Sequence, residues 1–197
     1  MIKCASQSLV CAIIHTVKFQ QTFPHSRQQW LRKPISGITY RNWLVDGGSL
    51  TARLKARYAD FAVQPVSLKQ AKAFVGESAL LGLKASQHAL IREVLLMGNN
   101  QPVVFAHSVL PKASLRGAWN GLSRLGNKSL GATLFTNPQV RRTPLHYKKL
   151  PSRHPLLHRV NNRLSAKFDH LWARRSIFSL NCARILVTEI FLPDILK

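Results

Sequence analysis

Acidic residues are scarce. The 197-residue chain has seven, Asp46, Asp60, Glu77, Glu93, Asp169, Glu189 and Asp194, against 29 lysines and arginines, for a formal net charge of +22. Any carboxylate that serves as a general acid, base or polar anchor must come from that short set. The positive surplus draws anions, whether nucleic acid, an acidic membrane surface or small anionic metabolites. Cysteine is scarce too: Cys4, Cys11 and Cys182 form no CxxC pair and leave an odd one over, which argues against a disulfide scaffold and suits a reducing cytoplasm. No apolar run approaches the length of a transmembrane helix. The run from Leu9 to Ile14 behind Lys3 imitates a signal peptide, but it is short, and His15, Thr16 and Lys18 end it without a small-residue cleavage site. A lipoprotein signal is excluded because Val10 precedes Cys11 where a small residue is needed. With 46% hydrophobic residues the composition is globular, not disordered. We read residues 1–28 as a poorly ordered N-terminal extension and 29–197 as one domain with room for a sizeable core.

What is present organises around a strand near the C-terminus, Ala183 to Pro193. A period of two puts Ile185, Val187, Glu189 and Phe191 on one face, and Leu186, Thr188, Ile190 and Leu192 on the other. Both faces are largely apolar, so the strand is central and covered on both sides. Glu189 therefore stands in an apolar row, where an ionised carboxylate is costly unless paired or neutralised. Two readings are open: Glu189 pairs with one of the many arginines, or it belongs to a site.

Upstream, Gly47-Gly48-Ser49 before helix-favouring residues makes Ser49 an N-cap and Leu50 the first helical residue, leaving the amides of Leu50 and Thr51 as free donors. Tyr58 to Ser67 reads as a strand, with Pro65 marking an edge or a bulge. Leu90 to Met97, the turn Gly98-Asn99-Asn100-Gln101, and Pro102 to Leu110 form a hairpin. One of Arg92 and Glu93 must face inward, and the alternation does not decide which; a lone strand arginine more often caps the sheet surface. Ala113 to Leu125 reads as a modest helix stopped by Gly126. Ser129-Leu130-Gly131 then repeats the serine-capped start, and helix N-termini of this kind bind anions through free amides and the helix dipole.

Two further patterns carry no site. Gly121 to Ser129 resembles the end of a phosphate-binding loop, but Asn127 intrudes and no strand leads into it. His154 and His158 have helical spacing for a metal, yet Pro155 intervenes and no acidic residue lies between them. Arg141 to Leu150 reads as a strand interrupted by Pro144, the basic stretch Pro151 to His170 as loop with a short helix near Asn161 to Phe168, and Leu171 to Leu180 as the partner of the Glu189 strand. About six strands joined by short turns, with helices grouped between them, imply a single α+β domain on an antiparallel sheet.

The set Gly48-Ser49-Leu50-Thr51, Arg92-Glu93-Val94, Lys128-Ser129-Leu130-Gly131 with Leu134-Phe135, Arg174-Arg175-Ser176 and Leu186 to Pro193 resembles, in order and spacing, the bacterial chorismate pyruvate-lyases. The resemblance runs from about Trp30 to Pro193. It implies a chorismate lyase-like fold, an antiparallel sheet with helices covering an internal ligand pocket. It also implies cleavage of chorismate to 4-hydroxybenzoate and pyruvate, the first committed step of ubiquinone biosynthesis, without metal or organic cofactor. On the same footing the ligand arginine falls on Arg92, the ligand glutamate on Glu189, and the ligand-contacting backbone on Leu50 and Leu130. A cytoplasmic monomer is the expectation. The surplus charge serves solubility or a weak contact with an acidic membrane surface. Rival readings are a nucleic-acid-binding protein and a non-catalytic aromatic-acid-binding module on the same fold. Against the first, the basic residues are scattered and no zinc-finger or aromatic RNA-binding signature is present.

Overall fold

The computed structural model describes residues 29–34 and 38–197; the extension read over residues 1–28 lies outside them. A 3-10 turn, Ile38–Tyr40, leads into a one-turn helix α1 (Arg41–Leu44) and then α2 (Leu50–Arg57). The long strand β1 (Phe61–Lys72), a helix α3 (Val75–Leu81) and the hairpin β2 (His88–Gly98) and β3 (Gln101–Pro111) follow. After them come α4 (Lys112–Arg116), a 3-10 turn at Asn120–Arg124, α5 (Leu130–Thr136), β4 (Arg141–Arg142), β5 (His146–Pro151), α6 (Pro155–Leu164), β6 (His170–Leu180) and β7 (Ala183–Phe191). The strands make one antiparallel sheet in the order β1-β2-β3-β7-β6-β4, with β5 also on β6.

The Glu189 strand is central, between β3 and β6. Both its faces are covered, as its two apolar rows require. On one side Leu44, Leu50 and Leu54 of α1 and α2 pack on Val94, Val104 and Phe191, and further along Leu122, Leu130 and Leu134 pack on Leu90, Phe178 and Ile185. On the reverse side Leu156, Leu157 and Val160 of α6 pack on Leu95, Phe105 and Ile190. Each of these large side chains, withdrawn from water, contributes roughly 2 kcal/mol. Between the two clusters on the first side the sheet carries Arg92 and Glu189 in place of apolar residues, and a cavity opens at that break.

Several local expectations hold. Ser49 and Ser129 cap α2 and α5, each hydroxyl accepting from the amide three residues on. β1 is an edge strand, and its register with β2 shifts between Pro65 and Ser67 because proline has no N–H for the ladder. Asn99 and Asn100 take positive φ in the β2–β3 turn, the left-handed conformation that a two-residue hairpin demands. Gly98 must be glycine, since a Cβ there would lie 2.5 Å from the Tyr58 ring.

Others are corrected. Among the described residues the sheet has seven strands where about six were expected, because the segment read as one strand over Arg141 to Leu150 is two, lying end to end along β6 on either side of Pro144. The expected helix from Ala113 to Leu125 breaks at Gly117 into α4 and a 3-10 turn. The short helix assigned to Asn161–Phe168 is instead Pro155–Leu164: Pro155 occupies the first turn, where its missing N–H costs nothing, and the His154 ring accepts the Leu156 amide as the cap. Helix α3 was not foreseen; its start is held by Glu77, whose Oε2 accepts from the Phe74 amide at 3.1 Å.

Candidate functional site

The N-termini of α2 and α5 meet over the sheet. Thr51 Oγ1 and Ser129 Oγ share a hydrogen bond of 2.6 Å, and Gly131 allows the approach, since a Cβ there would stand 3.0 Å from Thr51 Oγ1. The serine caps take the amides of Ala132 and Ala52, which leaves those of Leu50, Thr51, Leu130 and Gly131 at the two positive helix ends. Beneath them is a void of about 40 Å³. Leu50, Thr51, Leu130 and Gly131 form its roof, Arg92, Val94, Ala106, Val187 and Glu189 its floor, and Phe135 and Phe178 one wall. All four residues singled out in the sequence, Leu50, Arg92, Leu130 and Glu189, line this one cavity.

Arg92 is the inward member of its pair on this face, 5% exposed rather than spread over the sheet surface. Its Nη2 donates to Gly126 O at 3.0 Å and Lys128 O at 2.9 Å, carbonyls of the loop ahead of α5. Nε and Nη1 make no hydrogen bond among the described residues. Burial lowers its pKa below the usual arginine value, so an anion in the cavity would relieve an uncompensated cation. Glu93, one residue on, points through the sheet to the reverse face and is buried as well.

The arginine pairing and a place on the cavity are both present at Glu189. It sits mid-strand and lines the cavity, and it also pairs with an arginine: Arg174 Nε lies 2.5 Å from its Oε2. Arg174 is fully buried, while the Glu189 side chain keeps 15% of its surface on the cavity side. The same guanidinium donates through Nη1 to Trp43 O (2.9 Å) and Asp46 O (2.6 Å), at the end of α1 and in the loop before α2. One arginine therefore ties the glutamate to the segment carrying Leu50. Arg142 adds a second tie, from Nε to Ser176 Oγ at 2.8 Å and from Nη1 to Gly47 O at 2.9 Å, with its guanidinium over Phe135 and Phe178.

In the sequence Arg174 stands out only as part of the Arg174-Arg175-Ser176 motif. A signal was available: counting outward from the Asn181-Cys182 turn pairs Arg174 with Glu189, the observed register. The equivalent count from the β2–β3 turn fails. An irregularity between Leu96 and Met97 shifts the pairing by one and brings Glu93 opposite His107 instead of Ala106. On the reverse face these two make a buried cluster: His107 Nδ1 is 2.9 Å from Glu93 Oε1, His107 Nε2 is 3.3 Å from Glu77 Oε1, and Arg159 Nη1 is 3.1 Å from Glu93 Oε1. Burial alone would lower the imidazole pKa; the two carboxylates outweigh it and raise His107 to about 9.

Comparison with known proteins bears on the whole arrangement. Residues 25–197 match the family described as Chorismate lyase. The chain is 49% identical over 167 residues to a "Probable chorismate pyruvate-lyase" of Nitrosomonas europaea, covering 84% of this chain and 94% of that one. It is 44% identical over 171 residues to a protein of the same name from Methylobacillus flagellatus, covering 87% and 96%. Among solved structures it is similar to PhnF from Mycobacterium smegmatis (TM-score 0.53, 17% identity, 78% of this chain and 67% of that one). It is also similar to a GntR-family transcriptional regulator from Bacillus cereus (TM-score 0.51, 13% identity, 68% and 92%). At these identities the structural likeness speaks to the fold alone.

Proposed function

This chain belongs to the chorismate lyase family, and from that premise we propose how its cavity carries out the reaction. The protein is a lyase that removes pyruvate from chorismate to leave 4-hydroxybenzoate, a step that supplies ubiquinone biosynthesis. The observation that carries the site assignment is the convergence of Arg92, Glu189 and two helix N-termini on one small cavity.

Chorismate brings a ring carboxylate, a ring hydroxyl and an enolpyruvyl ether. In the reaction the carbon bearing the hydroxyl gives up its hydrogen and the neighbouring C–O ether bond breaks. The ring becomes aromatic, and the departing enolpyruvate takes a proton at its methylene carbon to become pyruvate. Aromatisation supplies the driving force, so the protein has chiefly to orient the ring and exclude water. In our assignment the ring carboxylate lies against Arg92 and accepts from Nη1, which the loop carbonyls leave free, with the amides of Leu50 and Leu130 supplying further donors. Gly126 O and Lys128 O hold the guanidinium in the required plane. At the opposite end of the ring, Glu189 accepts from the hydroxyl through Oε1 while Arg174 retains Oε2.

A void of about 40 Å³ is smaller than a substituted six-membered ring, so entry requires the α2 and α5 ends to part. Thr51, Ser129, Arg174 and Arg142 are the contacts that restrain this movement. We place the enzyme in the cytoplasm as a monomer; among the described residues no helix is long and apolar enough to cross a membrane. Incubating the purified protein with chorismate and following pyruvate and 4-hydroxybenzoate tests the proposal. Stoichiometric release of both supports it. Binding of 4-hydroxybenzoate without turnover would favour a non-catalytic module, and neither result would leave the reading without support.

A further inference from the structure

The reverse face of the sheet carries a second concavity, about 670 Å³, that the reaction does not use. Its size lies within the range of small-molecule sites. The strand register builds its basic wall: His146 on β5 stands opposite Arg175 on β6, and Lys148 follows two residues along on the same face. Arg153 and the α6 cap His154 close one end, while Trp30, Phe74, Pro155 and Leu156 supply apolar surface. The Arg175 guanidinium stacks on the Trp30 ring, 4.2 Å from its centroid.

The charges here do not balance. Glu77 is the one carboxylate on the lining, and both its oxygens are already engaged, Oε2 by the Phe74 amide and Oε1 by His107. Among the described residues no carboxylate lies within 4 Å of Arg153 or Arg175. Arg175 is buried enough that its pKa falls to about 10 in spite of Glu77. His154 accepts the Leu156 amide at Nδ1, which places its proton on Nε2 and makes it a neutral donor. Residues 1–28 hold no Asp or Glu, so the chain's own N-terminal segment does not bring the missing charge.

We propose that this cavity is a second binding site, for a small organic anion whose flat apolar body lies on the Trp30 side and whose acid group meets Arg175 and Arg153. The basic stretch around Lys148 to His154, which plays no part in the reaction, forms this site. A guanidinium already stacked on an indole offers its edge to a carboxylate while the rings extend the apolar wall.

The probe is 2-naphthoate, an aromatic carboxylate with two fused rings, titrated by calorimetry together with NMR of the Trp30 indole. Wild type should bind it saturably with Kd on the order of 0.1–1 mM, with the indole signal of Trp30 shifting. Arg92→Ala, which disables the catalytic cavity, should bind it equally well. Arg175→Gln and Arg153→Gln should each weaken binding about tenfold or more, with Arg175→Lys intermediate. Both glutamine variants should still release pyruvate from chorismate at wild-type rate, which separates this test from that of the lyase reaction. No saturable binding by wild type up to 10 mM, loss of binding in Arg92→Ala, or full binding by the folded Arg153→Gln variant would overturn the proposal.

Discussion

Replacing Arg174 by methionine tests how the site is held together. Methionine keeps an unbranched chain in the same buried space but removes every donor. Glu189 would lose the partner 2.5 Å from its Oε2, and Trp43 O and Asp46 O would lose a charged donor each. Breaking a buried pair from one side costs about 3–5 kcal/mol. Because Glu189 keeps some exposure to the cavity, the low end, about 3 kcal/mol, applies to the pair. The two carbonyls sit where water can reach once the loop loosens, and together they add about 1 kcal/mol. A loss of about 4 kcal/mol lowers Tm by roughly 8–16 °C in a domain of this size, a large share of a typical 5–15 kcal/mol of stability. The informative comparison is the double variant Arg174→Met/Glu189→Leu. It removes the stranded carboxylate, so it should be about 2 kcal/mol more stable than Arg174→Met alone while remaining inactive. Chemical denaturation of the wild type, both single variants and the double variant gives the coupling energy directly. Additive effects, with the double variant the least stable of the four, would refute the idea that the pair, not the loop carbonyls, dominates.

The other expectations are simpler to state. Arg92→Lys should lose much of its activity although the charge is kept, because an ammonium lacks the rigid planar guanidinium and cannot hold both loop carbonyls while it faces the ring carboxylate; wild-type turnover would remove Arg92 from the ring carboxylate. Glu189→Gln separates two roles: orientation alone predicts a small loss of turnover, and proton transfer a fall on the order of a hundredfold. Glu189→Ala should weaken 4-hydroxybenzoate binding, and unchanged affinity by calorimetry would take Glu189 out of the site. On the reverse face, His107 has a pKa raised from its usual 6.5 to about 9. Its contribution to stability is therefore complete below about pH 6.5 and lost as pH rises through 9. Tm should decline across that window, and His107→Gln should abolish the decline. Finally, we propose that the basic surface holds the enzyme weakly to acidic lipid, each side chain near the surface contributing about 1 kcal/mol; failure of anionic vesicles to retain the protein at low salt would refute it.

The sequence by itself determined the parts that depend on neighbours in the chain. Ser49 and Ser129 could be read as caps because a hydroxyl accepting an amide three residues on is a local geometry, and the Asn99-Asn100 turn was legible for the same reason. The two apolar rows around Glu189 required a strand covered on both faces, and the resemblance, carried by short motifs in order, pointed to the four lining residues. Contacts between distant segments were decided only by the tertiary structure. The Thr51–Ser129 hydrogen bond joins residues 78 apart, and Arg92 is held by loop carbonyls whose positions depend on where α5 packs. The Glu189–Arg174 pair was within reach of counting because the β6–β7 hairpin is regular. The Glu93–His107 pair was not, because a one-residue irregularity in β2–β3 changes which side chains share a face. Alternation likewise could not choose between Arg92 and Glu93, since both are buried, on opposite faces of a sheet with polar partners on each.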